Sequence, residues 1–436
     1  MSLDKRIADR SAVIGVIGLG YVGLPLAHTF HEAGFRLIGV DTDPVKIDLL
    51  RAGKNYYKHL RADLGKTLAA SGRFEPTVDA SRLREADAIL ICVPTPLGKH
   101  LEPDLGYVEK TTDDIAAILR RDQLVVLEST TYPATTREVV LPRLAAGGLS
   151  CGTDFYLAFS PEREDPGNAA HTTRTIPKLV GGIDEASGRI ATALYGAAFE
   201  RVVPVSTAEV AEAAKLLENI YRAVNIALVN EMKVLLTSMG VNVFEVIDAA
   251  ATKPFGYEPF YPGPGLGGHC IPIDPFYLTW KAREIGQTTR FIELAGQINH
   301  AMPEFVINRL SAALNERSKA VRGARVLVLG LAYKPDVEDL RESPSFELIA
   351  RLRDLGAEVD YNDPHTAETP SVRRHDLKMR SVDLTPERLA GYDCVLISTN
   401  HSAYDYQMIA DHAKLVVDTR NALKDVRGAR DHVVLA

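Results

Sequence analysis

The chain has 436 residues, 46% hydrophobic and 25% charged, an ordinary globular composition long enough for two or three domains. Its 50 basic and 57 acidic residues leave a net charge of −7, which provides no basic footprint for nucleic acid and no like-charged tail. No stretch approaches the roughly 18 apolar residues of a membrane span, and the N-terminal residues lack a signal-peptide apolar region, so the expectation is a cytoplasmic protein without a membrane partner.

The first apolar run, Val13 to Ile17, leads into Gly18-Leu19-Gly20-Tyr21-Val22-Gly23 and then a helical pattern. In this G-x-G-x-x-G turn Gly18 makes the bend, Gly20 lets a pyrophosphate reach backbone and helix N-terminus, and Gly23 permits close helix-strand packing. Eighteen residues beyond Gly23, a second apolar run at 37–40 ends at Asp41, whose carboxylate suits the adenosine ribose hydroxyls and argues for NAD over NADP. Further strand-like runs at 88–93, 124–127 and 155–159 alternate with helical or polar segments, as a mostly parallel sheet requires. These make a first Rossmann-like domain over residues 1–205.

Residues 207–239 contain no proline or glycine, and apolar residues occupy nearly every helical face, so a long central helix buried all round is expected. Glu212, Lys215, Asn219 and Arg222 fall within an arc of about 80° at helical spacing. That polar stripe either faces a site or is solvated, and the apolar faces suggest a homodimer built on this helix, open to higher assembly.

Four cysteines, none in C-x-x-C spacing, neither staple a secreted fold nor bind a metal. Cys92 and Cys394 lie in apolar strands and read as core, and Cys151 begins a polar stretch without partners. Cys270 differs: it sits in Gly263-Pro264-Gly265-Leu266-Gly267-Gly268-His269-Cys270-Ile271-Pro272-Ile273-Asp274, too glycine-rich for ordinary core and with a carboxylate four residues on, the parts of an activated nucleophile. A tight turn whose cysteine merely packs is the plainer alternative. Residues 206–305 therefore form a central helical dimerisation domain that carries the cysteine loop.

A second alternating pattern follows at 324–332, 358–361, 394–398 and 415–418. It implies another Rossmann-like domain over 306–436. Because Gly330-Leu331-Ala332-Tyr333 lacks the full glycine fingerprint, this domain is expected to hold the other ligand. The fold class is thus α/β, two Rossmann-like domains with mostly parallel sheets joined by a long central helix.

A simple dehydrogenase needs a hydride acceptor and an acid/base group. A nucleophilic cysteine becomes useful when the aldehyde is captured as a thiohemiacetal, which can lose a second hydride and leave a thioester for water to cleave. The pieces together predict an alcohol taken to an acid.

The chain resembles the UDP-glucose/UDP-mannuronate (nucleotide-sugar 6-dehydrogenase) family over essentially its full length, in ordered segments: Gly18 to Pro25, Val93-Pro94-Thr95-Pro96, Glu128-Ser129-Thr130-Thr131, Ser160-Pro161-Glu162-Arg163, Glu212 to Asn219, the Cys270 loop and Gly330-Leu331-Ala332-Tyr333-Lys334. The resemblance implies four-electron oxidation of a sugar C6 with two NAD in succession and Cys270 as nucleophile. It makes Asp274 the residue that positions or activates water, Lys215 and Asn219 the stabilisers of the reacting oxygen, and Thr130 and Glu162 the groups for holding water and for acid/base or hydrolytic work. Simpler readings exist: Thr130 as a strand-end hydroxyl with Thr131 as rival, and Glu162 as a surface acid with Glu164 and Asp165 as rivals.

The cofactor contacts implied are Gly18, Gly20, Tyr21, Val22, Gly23, Asp41, Pro94, Thr95, Thr130 and, from the last domain, Arg341. Substrate contacts implied are Glu162, Lys215, Asn219, Phe260, Tyr261, Gly267, Lys334 and Arg420; surface ion pairing is the plainer role for Lys334, Arg341 and Arg420. His269 and Ile271-Pro272 depart from the glucose-type loop G-F-G-G-S-C-F-x-K-D, and residues 250–256 and 259–265 resemble UDP-N-acetylglucosamine 6-dehydrogenases. UDP-GlcNAc is therefore the expected substrate ahead of UDP-ManNAc, UDP-GalNAc and UDP-glucose. A two-electron dehydrogenase would need no thiol, and a catalytically silent nucleotide-sugar sensor would need no nucleophile, water-holding groups or oxyanion partner.

Overall fold

The computed structural model describes residues 1–57, 61, 63–98, 100–163, 172–268 and 271–436. They form two compact units, one made of Met1–Glu218 with Phe276–Thr288, the other of Asn219–Pro275 with Thr289–Ala436.

In the first unit, strands β1 (Val13–Ile17), β2 (Arg36–Val40), β3 (Phe74–Thr77), β4 (Ala88–Ile91), β5 (Leu124–Leu127), β6 (Tyr156–Phe159), β7 (Lys178–Gly182) and β8 (Val202–Val205) build one sheet in the order β3-β2-β1-β4-β5-β6-β7-β8. Every neighbouring pair is parallel except β6 and β7. Strands β4 and β5 are buried at every position, as befits a parallel sheet covered on both faces. One face packs Leu24, Phe30, Leu194 and Tyr195, the other Val108, Val140, Leu144 and Ala211. Each such fully buried large side chain stabilises by roughly 1.5–3 kcal/mol. The order reverses between β1 and β4, the switch point where such sheets open a crevice at their carboxyl ends.

The second unit has an all-parallel sheet of β9 (Arg325–Leu329), β10 (Glu358–Asn362), β11 (Cys394–Ile397), β12 (Val416–Asp418) and β13 (Val433–Leu435), ordered β10-β9-β11-β12-β13. Its switch point falls between β9 and β11. Gly330, φ +82°, turns the chain there, and a side chain at that position would strike the Thr399 carbonyl.

The helix Ala208–Ser238 runs 31 residues, about 46 Å at helical rise. It is not buried all round. Leu217 (66% exposed), Tyr221, Leu228 and Leu235 form an apolar stripe that stays exposed among the described residues. Of the polar stripe, Glu212, Lys215 and Asn219 are buried and Arg222 is exposed. Among the described residues no helix is long and apolar enough to cross a membrane.

Two cysteine expectations also change. Cys92 lies one residue past β4 and is half-buried, while Cys151 does have partners, its Sγ lying 3.5 Å from Asp184 Oδ2 and 3.7 Å from Ser187 Oγ. Cys394 is core, as expected.

Candidate active site

In the first unit the dinucleotide turn has the form its glycines require. Gly18 adopts φ +88°, and a side chain there would meet the Cys92 carbonyl; one at Gly23 would strike the Gly18 carbonyl. Gly20 has open space instead, so packing of the fold does not require its lack of a side chain. Tyr21 and Val22 are half-buried, and the helix Gly23–Glu32 starts immediately after them. Asp41, one residue beyond β2, is buried: its Oδ2 accepts from Leu19 N (2.9 Å) and Lys46 Nζ (3.1 Å), its Oδ1 from Asp43 N (2.9 Å). The acid is thus fixed to the glycine turn. Lys46 and the ribose hydroxyls would compete for its remaining acceptor capacity.

Thr95 and Thr130 meet across the ends of neighbouring strands, Thr95 Oγ1 donating to the Thr130 carbonyl at 2.9 Å. Pro94 is exposed, and Tyr277 OH donates to the Thr95 carbonyl. Thr130 is half-buried whereas Thr131 is sealed from solvent.

Glu162 lies at the edge of a buried charge cluster. Lys178 Nζ donates to Glu128 Oε2 (2.6 Å) and the Pro161 carbonyl (3.0 Å) and lies 3.8 Å from Glu162 Oε2; Tyr195 OH closes on the other Glu128 oxygen. Burial opposes the Lys178 charge, but the Glu128 and Glu162 carboxylates outweigh it and raise its pKa, so the lysine stays cationic beside Glu162. Arg163 ties the same segment to the long helix through Glu218 (2.7 Å).

On that helix Glu212 faces protein. Its carboxylate accepts from Ala134 N (2.7 Å), Thr136 N (2.9 Å) and Thr136 Oγ1 (2.7 Å), holding the turn beyond Thr130 in which Ala134 has φ +82°. Burial pushes Glu212 up to about 7, with the Thr136 and Ala134 bonds opposing. Lys215, one turn on, is 7% exposed.

The second unit holds the remaining candidates. Asn219 Nδ2 donates to Asp274 Oδ2 at 2.6 Å, and both residues are buried. His269 and Cys270 lie outside the described residues, but the glycines before them are placed. Gly268 N donates to the Arg341 carbonyl (2.9 Å), and a side chain at Gly267 would strike Tyr333 and lie 3.1 Å from the Glu342 carbonyl. A side chain at Gly263 would occupy the position of the Arg420 guanidinium. These glycines therefore let the loop press against the segments carrying Lys334, Arg341 and Arg420, bringing four candidate regions together.

Arg341 forms a fork with Asp339 (Nη2 to Oδ2 2.6 Å), and Arg420 Nε donates to the Ser398 carbonyl (3.0 Å). Lys334 Nζ lies over the Tyr333 ring, 5.8 Å from its centroid. Phe260 packs on Tyr221, ring centroids 5.7 Å apart, and Tyr261 OH donates to Asp248 (2.7 Å).

Sequence reasoning passed over Lys178, Lys233 and the Asn230–Asn299 pair, in which Asn230 Nδ2 donates to Asn299 Oδ1 (2.9 Å) and Asn230 Oδ1 accepts from Gly263 N (3.1 Å). Lysines and asparagines inside apolar runs, as at Lys178 before Leu179-Val180 and Asn230 in the long helix, were the available signal.

Three consecutive models of one family match the chain: UDP-glucose/GDP-mannose dehydrogenase family, NAD binding domain, over 12–199; central domain, over 209–301; and UDP binding domain, over 327–425. The chain is 36% identical to Protein CapL of Staphylococcus aureus, covering 95% of both chains, and 33% identical to UDP-N-acetyl-D-glucosamine 6-dehydrogenase of Pseudomonas aeruginosa, covering 95% of this chain and 96% of that one. It superimposes with a TM-score of 0.87 and 32% identity on the structure of UDP-D-ManNAc dehydrogenase from Pyrococcus horikoshii, over 97% of this chain and 98% of that one. The glycine turn ending at a fixed Asp41 in one unit, and the glycine loop pressed on Tyr333 and Arg420 in the other, are thus features of a chain that belongs to the UDP-glucose/GDP-mannose dehydrogenase family and carries its NAD-binding domain.

Proposed function

We propose that the protein is an NAD-dependent nucleotide-sugar 6-dehydrogenase that takes C6 of a UDP-2-acetamido sugar, UDP-GlcNAc foremost, from hydroxymethyl to carboxylate. The observation that carries this reading is the buried Asn219–Asp274 pair, because a carboxylate so placed four residues after Cys270 is suited to thioester hydrolysis, a step that a two-electron oxidation lacks. Bound NAD supplies a hydride acceptor, used twice per sugar.

The chain's own residues do the rest. Glu162, its charge balanced by Lys178, takes the C6 hydroxyl proton, while Lys215 and Asn219 stabilise the charge that gathers on that oxygen. Cys270 Sγ adds to the aldehyde carbon, and the oxygen takes up a proton. Loss of the second hydride and that proton leaves a thioester. Thr130 holds a water, Asp274 takes its proton as the oxygen attacks, the C–S bond breaks, and the thiol and a carboxylate are restored. The sum is one alcohol and one water to one acid, with four electrons transferred.

Gly18, Gly20, Tyr21, Val22, Gly23, Asp41, Pro94, Thr95 and Arg341 serve the cofactor in this scheme, and Phe260, Tyr261, Gly267, Lys334 and Arg420 the UDP-sugar. The functional division is 1–205 for NAD, 206–305 for dimerisation and the cysteine loop, and 306–436 for the UDP-sugar, a partition supported by the three matched models. The open stripe of Leu217, Tyr221, Leu228 and Leu235 supports a homodimer through the long helix.

UDP-ManNAc is the second reading, favoured by the 0.87 TM-score to an enzyme of that name. Supplying NAD with UDP-GlcNAc, UDP-ManNAc, UDP-GalNAc or UDP-glucose, and measuring NADH per sugar and product mass, decides among them. Two NADH and a uronic acid from UDP-GlcNAc are expected; one NADH with an aldehyde or ketone would remove the thioester route.

A further inference from the structure

A lysine that the proposed reaction does not use is buried behind Arg420. Lys233, on the long helix, is 1% exposed; among the described residues its ammonium finds one hydrogen-bond acceptor, the Thr419 carbonyl at 3.3 Å, and it lies over the Phe244 ring, 5.8 Å from the centroid. Two of its three donors are unmet. Among the described residues the anion acting on it is Asp418, and that carboxylate is already engaged with backbone, Oδ1 accepting from Arg420 N (2.9 Å) and Oδ2 from Leu423 N (3.0 Å).

Among the described residues the other charges acting on Lys233 are positive. Arg420 faces it from the segment after β12, and Arg309 from the helix Arg290–Asn315, where its guanidinium reaches the Leu435 carbonyl at 3.4 Å. The helix Val243–Ala251 offers Phe244, while its acids Glu245 and Asp248 are exposed. Two arginines and a lysine thus share one carboxylate, a cluster short of negative charge. Burial first, and then Arg420, pull the lysine down to about 7, and the same burial lowers Arg420 to about 10.

A dianionic ligand at Arg420 would supply the missing charge. We propose that Lys233 takes up a proton when the diphosphate of a nucleotide sugar engages Arg420, coupling substrate affinity to pH through a lysine that does not touch the ligand. The inference rests on the reading of Arg420 as a nucleotide-sugar contact. Lys233 is neutral in much of the free protein above pH 7 and becomes the counter-charge in the complex; affinity is therefore fullest below pH 7 and falls as pH rises, because more of the free protein must then acquire the proton.

The test is calorimetric binding of UDP-GlcNAc and UDP-ManNAc without NAD at pH 8, in PIPES, HEPES and Tris, whose ionisation enthalpies differ. At pH 8 neither the diphosphate diester nor the uracil N3–H of these sugars titrates appreciably, so uptake there belongs to the protein. Wild type should take up between about a half and one proton per site, with affinity falling several-fold from pH 7 to pH 9. Lys233→Met, with Lys233→Gln as a second variant, should bind with no uptake and a flat pH profile. Binding by wild type without uptake, or undiminished uptake in both variants, overturns the inference and leaves the function standing. Failure of wild type to bind either sugar, or binding unchanged in Arg420→Ala, overturns the assignment of Arg420 and the inference with it.

Discussion

Glu212 offers the sharpest test of how the first unit holds its candidate residues. Its carboxylate is fully buried and accepts three hydrogen bonds from the 134–136 turn, in which Ala134 occupies a left-handed conformation that costs about 1–2 kcal/mol. Replacing Glu212 by Ala strands two backbone N–H groups and a hydroxyl. At about 1–3 kcal/mol for each unmet buried donor, and with water able to enter the space left, the local loss should be about 3 kcal/mol, or about a hundredfold faster amide exchange at Ala134 and Thr136.

Glu212→Gln removes the titration and turns one of the two accepting oxygens into an NH2 donor, so it keeps either the Thr136 bonds or the Ala134 bond and serves as the pH-independent reference. With a folded pKa of about 7 against an unfolded value of 4.5, the protonated form is favoured by folding, so this group's contribution is whole below pH 4.5 and is lost as pH rises to 7. Between pH 5.5 and 8 wild type should lose about 2 kcal/mol relative to the Gln variant, from 1.36 kcal/mol per pKa unit. Hydrogen exchange across the turn, read at both pH values and corrected for intrinsic rates, measures both effects. Unchanged protection in Glu212→Ala, or parallel pH profiles for wild type and Gln, would refute the assignment of the turn to this carboxylate.

Asp41→Asn frees Lys46 and removes the charge that repels a 2′-phosphate, so the ratio of kcat/KM for NADP to that for NAD should rise at least tenfold; an unchanged ratio counts against the Asp41 assignment. Gly267→Ala should push the cysteine loop off Tyr333, lowering stability by about 1–3 kcal/mol in denaturant titration and kcat by tenfold or more, whereas an unperturbed variant would mean the loop can yield. Leu228→Asp with Leu235→Asp should shift a dimer to monomer in sedimentation velocity, and a retained dimer would place the interface elsewhere. Cys270→Ser should still bind NAD, whose candidate contacts other than Arg341 lie in the first unit, yet form no net acid; wild-type acid yield would end the covalent scheme.

Much of both sheets was legible because parallel strands covered on both faces are continuous apolar runs, as at β1, β2, β4, β5, β6, β9, β11 and β12, while the edge strand β10 is legible from its alternation of buried Val359 and Tyr361 with polar residues. Strands β3 and β8 were not, each for the same reason. Both contain a proline, Pro76 and Pro204, which speaks against a central strand; both turn out to be edge strands, where a missing N–H is tolerated. β13 is a three-residue edge, too short for any periodicity.

The candidate site divides along the same line between local and non-local information. Glycine turns, Asp41 and the cysteine loop are contiguous motifs and can be read directly, including the chemistry their residue types permit. The Glu128–Lys178–Glu162 cluster cannot, because it depends on the one reversal of direction in the sheet. Since β7 runs antiparallel to β6, its first residue, Lys178, falls beyond the carboxyl end of β6, beside Pro161 and Glu162 and opposite Glu128 at the end of β5. A parallel β7 would have put Lys178 at the opposite end of the sheet, away from Glu162. Lys233 was hidden for a different reason: a lysine in a helix reads as a solvated cation until the helix face is known, and the burial that gives this one its interest comes from Phe244 and Thr419, 11 and 186 residues away in the chain. The motifs therefore name the candidate residues, while the charges placed beside them come from contacts that only the folded chain creates.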